Sequence, residues 1–510
     1  MCGPIRTPLR LRAELPLVSQ LVRRRVFSLV TVVVMLIGCT DSDSGSTTSV
    51  AETPATGGSI DWKDCEYDFE LRCADFEVPY DYNDPEVGTF TLKLVMHPAS
   101  ETSQRVGSML VNPGGPGFGG AYLAESVTSY FGQDLIESFD IVGFDPRGTG
   151  DSTPAIDCVD DYDPYFTFDP SPDTDDEKQA IIDASQAFVD ECVKKNSEIL
   201  PYISTNNTAR DMDRIRAALG EEKITYFGFS YGSELGATWA TMFPTTVRAA
   251  VLDGAADPNS DYVEGGLDQA KGFETELTKF LAQCSSDVEC AFHNNGRAEE
   301  AFDALLASLD SKPLFAEKGR VRVNQGVALT AVSRAMYSSS LWPTLEQALN
   351  SAQKGKGAEL LQMYDEYYQR QYDGTYGNEL EAFNAIMCLD DPGPKSVEGV
   401  DSYIDDFKKV APRLWSTFAA GYVCAFWPTE TDQRTTISGK GAGPIVVIGT
   451  TGDAATPLQS SRNMAKALED GRLIVVDDNR HTGYGANRCV IDLTDAYLVK
   501  GTVSWTEEKC

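Results

Sequence analysis

From about residue 88 the apolar positions fall into short runs separated by longer helical patterns. Residues 89–96 alternate apolar and polar with period two, the mark of a half-buried strand. Compact apolar runs follow at 106–111, 139–144, 223–229, 248–252, 444–448 and 472–476, each of a length suited to a strand buried on both faces. Two of them end in turn-forming clusters, Asn112-Pro113-Gly114-Gly115-Pro116-Gly117 and Asp145-Pro146-Arg147-Gly148-Thr149-Gly150. Between the runs, residues 208–219 put Met212, Ile215 and Leu219 on one helical face, and a helix of small and apolar residues after Ser230 stops at Pro244. This alternation predicts an α/β protein with a mostly parallel central sheet flanked by helices.

Residues 259–440 break the rhythm. They lack β-branched runs and carry apolar residues at helical spacing (Ala301, Leu305, Leu309; Leu345, Leu349). The pattern predicts a mainly helical cap inserted between two strands, with the core formed by 61–258 and 441–510.

The N-terminus has a different character. Arg23, Arg24 and Arg25 precede an apolar run at 26–37, then Gly38 and Cys39. A basic region, a short apolar stretch and a small residue are the parts of an export signal, and the run is too short for a comfortable membrane span. Leu36-Ile37-Gly38-Cys39 resembles a bacterial lipobox, so residues 1–38 are expected to be a signal peptide and Cys39 a lipidated first residue. The alternatives are an ordinary signal peptide or an uncleaved anchor, and the arginines also resemble a twin-arginine signal. Residues 39–60, rich in Ser, Thr, Gly and Asp, read as a flexible tether.

The cysteine count agrees with export, and the charge bears on partners. The 43 basic and 77 acidic residues give a net charge of −34, which disfavours nucleic acid as a partner. Beyond Cys2 and Cys39, ten cysteines remain, an even number that suggests disulfides in an exported chain. Their spacing predicts pairing of near neighbours: Cys65 with Cys73, Cys158 with Cys192, Cys284 with Cys290, Cys388 with Cys424, and Cys489 with Cys510. With no Cys-x-x-Cys and three scattered histidines, no metal site is expected.

The chemistry centres on Gly228-Phe229-Ser230-Tyr231-Gly232, a Gly-x-Ser-x-Gly between a strand-like run and a helix. A nucleophilic serine needs a base. His97 ends a strand and His293 lies beside a turn, whereas His481 follows the last strand-like run in a loop. Asp453, the first carboxylate beyond the 444–448 run, is expected to orient it; Asp477 and Asp478 lie too close to His481 in sequence to come from a separate loop. The order Ser230, Asp453, His481 is that of the α/β-hydrolase fold. Two backbone N–H groups should hold the oxyanion, from Tyr231 and from the glycine-rich loop, where Pro113 and Pro116 cannot donate and Gly115 is favoured over Gly114 and Gly117.

The loop at 113–117 resembles that of proline iminopeptidases, with Pro113 where those have His. Together with 145–152, 228–258, 424–428 and 450–457, it makes the chain similar to the secreted tripeptidyl aminopeptidases of actinobacteria over about 61–510. That resemblance implies a serine exopeptidase of the α/β-hydrolase fold that needs no cofactor and releases di- or tripeptides from free N-termini. Such an enzyme needs carboxylates for the substrate ammonium, and Asp390 and Asp391 are the candidates. The rival readings are a carboxylesterase acting on envelope lipids or small esters, and a non-catalytic binding lipoprotein on the same scaffold.

Overall fold

The computed structural model describes residues 51–391, 393–419, 421–428 and 432–510. The signal peptide, Cys39 and the first part of the expected tether lie outside these residues.

Ten strands form one sheet: β1 (Lys63–Asp64), β2 (Arg72–Pro79), β3 (Thr89–His97), β4 (Gly107–Asn112), β5 (Phe139–Phe144), β6 (Ile224–Phe229), β7 (Val247–Asp253), β8 (Ile445–Thr450), β9 (Gly471–Val476) and β10 (Glu507–Lys509). Their spatial order is β1-β2-β3-β5-β4-β6-β7-β8-β9-β10, antiparallel from β1 to β5 and parallel from β5 onward. Successive residues of one strand serve opposite faces. Met109 and Val111 join one apolar cluster with Ile141, Phe227, Val251 and Ile448, while Leu110 joins another with Val142, Tyr226 and Leu252. Burial on both faces is why the central strands read as continuous apolar runs. The chain leaves β4 and β6 side by side, with Asn112 opposite Gly228, so the loops that follow them emerge together at the carboxyl edge. In open α/β sheets ligands bind at this edge.

Helices cover both faces. The helix Thr205–Ala218 starts three residues earlier than its apolar spacing suggests, because Ser204 caps it by accepting the Asn207 N–H. A 22-residue helix at Asp175–Asn196 has a capping box of Thr174 and Glu177. The described end of the expected tether is docked rather than free. Glu52 pairs with Arg210 at 2.6 Å, its N–H donates to Met242 O, and Arg216 donates to Ala55 O at 2.8 Å. Charged and polar residues of this segment find partners on the helix Thr205–Ala218, which composition alone does not reveal.

Between β7 and β8 the described chain contributes no strand to the sheet. The helices Tyr262–Ser286, Ala298–Ser311, Gln325–Met336, Trp342–Gln353 and Ala358–Tyr367 pack around a core of their own that includes Phe273, Phe302, Leu329, Leu345 and Tyr364. Packing changes before residue 440, however. Ala382, Ala385, Ile386 and Leu389 of the helix Glu379–Asp390, with Trp427, are buried in the cluster beneath the sheet. This helix therefore lies within the inserted segment but shares the core of the sheet.

The cysteines form five bonded pairs, Cys65–Cys73, Cys158–Cys192, Cys284–Cys290, Cys388–Cys424 and Cys489–Cys510. Cys388–Cys424 ties the helix Glu379–Asp390 to Tyr422–Phe426 across 36 residues. In the chain-entropy picture a closure of that length contributes about 3–4 kcal/mol. Replacing both cysteines with serine should lower the thermal midpoint on the order of 5 °C; an unchanged midpoint would contradict a stabilising role for this link.

Candidate active site

Ser230 sits between β6 and the helix Tyr231–Met242 at φ 54° and ψ −126°. A non-glycine residue there stores on the order of 1–3 kcal/mol of strain. Two hydrogen bonds hold the turn: Ser230 N–H donates to Asp253 O, and Ser233 N–H donates to Ser230 O, each at 2.8 Å. The turn is so tight that a Cβ on Gly228 would lie 2.2 Å from Gly232 O, which accounts for the first glycine of the motif.

The glycine-rich loop after β4 lies directly over this turn. A Cβ on Gly114 would fall 2.5 Å from Phe229 O, 2.9 Å from Ser230 Cβ and 3.0 Å from Tyr231 N. Gly114 N–H is already spent on Asn112 Oδ1 at 2.9 Å. Gly115 N–H has no protein acceptor among the described residues, and Tyr231, as the first helical residue, has none within its helix. Gly115 and Tyr231 line the same cavity as Ser230.

His481 and Asp453 come together. His481 Nδ1 is 2.9 Å from both carboxylate oxygens of Asp453. Asp453 is itself fixed by the Ala455 and Thr456 N–H groups and the Thr456 hydroxyl, each at 2.9 Å. Thr456 was not foreseen; only its place three residues after Asp453 could have suggested it. Burial lowers the His481 pKa, but the charge and hydrogen bond of Asp453 together with the charge of Asp253 outweigh it, leaving it above the ordinary imidazole value. Nε2 is buried and has no hydrogen-bond partner among the described residues, so no bond joins it to Ser230 in this structure. Such bonds commonly tighten only around substrate. His97 lies in β3 and His293 turns its Nδ1 to Cys284 O, so neither joins this group. Asp477 accepts from Thr451, and Asp478 caps its own loop through Asn479 N–H.

The cap braces the His481 loop directly. His481 N–H donates to Tyr337 O at 2.7 Å, Ser339 N–H donates to Asn479 O at 2.9 Å, and the Tyr337 ring meets the imidazole edge-on at 5.6 Å.

A cavity of about 410 Å³ opens over Ser230 between sheet and cap. Part of its wall is aromatic: Phe273 packs on Tyr337 at 5.3 Å and on Phe418 at 5.2 Å. Another part is charged. Arg434 bridges Glu234 at 3.0 Å and Asp391 at 2.9 Å, and also donates to Ser260 O. Asp391 therefore lines the cavity as one of two carboxylates on one guanidinium. Asp390 does not line it: the residue is buried behind Tyr231, accepting Thr205 N–H at 3.0 Å and the Thr205 hydroxyl at 2.5 Å. Burial pushes its carboxyl up to about 8, which favours the neutral acid over the carboxylate. Glu234 and Arg434 escaped notice in the sequence. Glu234 has a readable signal, one helical turn beyond Ser230 on the same face, whereas Arg434 lies in an irregular segment with none. Among the described residues no group of His, Cys, Asp or Glu is arranged to hold a metal ion.

Since a Cβ at position 114 collides with the serine turn, Gly114→Ala should shift the loop and cut turnover by roughly 100-fold with the fold retained. Turnover close to wild type would show that the loop does not act on the serine.

Comparison with known proteins places these observations. A family model described as the α/β hydrolase fold matches residues 107–486. The serine protease Hip1 of Mycobacterium tuberculosis is 34% identical over 509 residues, covering 95% of this chain and 96% of that protein. Carboxylesterase B of the same species is 34% identical over 456 residues, 86% of each. The tripeptidyl aminopeptidase of Streptomyces lividans is 30% identical over 483 residues, 91% of this chain and 88% of that protein.

Proposed function

Because this chain belongs to the α/β-hydrolase family, we propose that it is an exported serine exopeptidase releasing di- or tripeptides from substrates with free N-termini. Ser230 is the nucleophile, His481 the general base and acid, and Asp453 the residue that orients the imidazole and stabilises its charged form. His481 Nε2 takes the Ser230 hydroxyl proton as Oγ attacks the scissile carbonyl. The Gly115 and Tyr231 N–H groups hold the resulting oxyanion. His481 then gives its proton to the leaving amine, and the acyl-enzyme is released by a water that His481 deprotonates.

The observation that carries the exopeptidase reading is the charged part of the cavity wall. Glu234 and Asp391 share one guanidinium, so the three groups carry a net negative charge facing the cavity. That complements the ammonium of a short N-terminal segment. Asp391 and Glu234 take the role, and Asp390 supports Tyr231 from behind. The alternative is a carboxylesterase, favoured by the aromatic part of the wall and by the resemblance to Carboxylesterase B. A non-catalytic binding role is disfavoured by the pairing of His481 with Asp453 beside the strained serine. The export signal over 1–38 and the lipid anchor on Cys39 complete the proposal, which places the enzyme on the outer face of the membrane. No described helix is long and apolar enough to cross a membrane.

Three substrates separate the readings: a free-amine tripeptide anilide, its N-acetylated form and a short-chain ester. Rapid cleavage of the free-amine peptide alone supports the exopeptidase; equal cleavage of the acetylated peptide and the ester makes the enzyme an esterase. Ser230→Ala should lower kcat by more than about 1,000-fold with the thermal midpoint unchanged. Glu234→Gln or Asp391→Asn should raise KM for the free-amine peptide by roughly 10–100-fold, the cost of one charge-assisted contact.

The pH profile follows from His481. It must be neutral to accept the Ser230 proton, and its folded pKa lies above the ordinary value. Activity should therefore fall as pH drops through a midpoint above about 6.5. Asp453→Asn should depress kcat and move that midpoint down. A limb centred well below 6.5 in the wild type would contradict the assignment.

A further inference from the structure

Asp253 ends β7 and is fully buried. Its backbone carbonyl accepts the Ser230 N–H at 2.8 Å. Its carboxylate accepts the Gly483 N–H at 2.6 Å and the Tyr484 N–H at 2.8 Å, in the segment just past His481. Among the described residues the groups acting on it are Gly483, Tyr484, His481 and Asp453, with no Lys or Arg. Gly254, next in the chain, has the imidazole against it: a Cβ there would lie 3.1 Å from His481 Cε1.

A buried carboxylate with two backbone donors and no cation is an expensive way to end a strand. Burial pushes its carboxyl up to about 6, against the pull of the Gly483 and Tyr484 hydrogen bonds and the nearby imidazole. What this cost secures is a single residue that grips both halves of the site. We propose that Asp253 is the positioning residue that sets the Ser230–His481 spacing, holding the serine turn by its carbonyl and the histidine loop by its carboxylate. The inference rests on the roles proposed above for Ser230 and His481.

Asp253 also belongs to the field around His481. The charged and titratable groups facing the imidazole are Asp453 in contact, Asp253 beneath the loop, Arg480 beside it and Tyr337 from the cap. Asp253 itself is faced by His481 and Asp453. Both carboxylates raise the histidine pKa, and Arg480 lowers it. Asp253→Asn keeps the size of the side chain, but removes the charge and presents an amide NH₂ to one of two N–H donors.

The experiment compares wild type, Asp253→Asn, Asp253→Glu and Ser230→Ala on the free-amine tripeptide anilide and the short-chain ester, with kcat, KM and the pH profile of kcat/KM. For Asp253→Asn the expectation is kcat lower by on the order of 10–100-fold, with KM within about threefold. The acid limb should move to lower pH by on the order of half a unit, because a negative charge near the imidazole is gone. A role confined to stability would lower the thermal midpoint and leave that limb in place. Wild-type kcat with an unmoved limb in a folded Asp253→Asn protein overturns the proposal. Should that variant not fold, Asp253→Glu decides: it keeps the charge but displaces the carboxylate from the Gly483 and Tyr484 N–H groups, so it should reduce kcat with KM held, and undiminished kcat overturns the proposal. Activity surviving in Ser230→Ala would instead count against the nucleophile assignment, so the two failures are distinct.

Discussion

The site depends on one backbone constraint: a serine held at positive φ where β6 becomes a helix. The conformation is costly for a residue with a Cβ, and surrounding elements must hold it in place. β7 supplies the Asp253 carbonyl for its N–H, and the glycine loop after β4 closes over it at a distance only glycine allows. The parallel sheet makes this convergence possible, because β4, β6 and β7 are neighbours and their carboxyl ends share one edge. Extensive burial on both faces keeps that edge rigid.

A second layer is electrostatic. The chain is strongly acidic, yet the cavity wall holds Arg434 between Glu234 and Asp391, and His481 lies against Asp453. Away from bulk water such pairs interact strongly and their geometry is fixed. The cap takes part in both. It supplies Asp391 to the cavity wall and, through Tyr337 and Ser339, backbone partners to the histidine loop. Movement of the cap would therefore be felt at the imidazole as well as at the cavity wall.

Much of this was legible in the sequence, for physical reasons. Strands buried on both faces must be apolar throughout, so 139–144 and 472–476 stand out and match β5 and β9 nearly residue for residue. The turn at Ser230 needs glycines, and a chain with three histidines leaves few candidate bases. What could not be read depends on long-range packing. Asp390 and Asp391 are adjacent and chemically identical in sequence, but one faces Thr205 behind Tyr231 and the other pairs with Arg434 in the cavity wall. Glu234 and Asp253 look like ordinary helix and strand-end charges until the tertiary fold supplies their partners. The docking of Glu52 onto Arg210 was hidden for the same reason, since a polar segment reads as tether whether or not it finds a surface.

The most direct test is to trap the acyl-enzyme. The purified protein would be mixed with a free-amine tripeptide thioester, quenched in acid and weighed intact, with the adduct then mapped by peptide mass analysis. One tripeptidyl adduct on Ser230 is expected, absent from Ser230→Ala and formed much more slowly by His481→Ala. An adduct on another residue, or undiminished thioester turnover by Ser230→Ala, would contradict it.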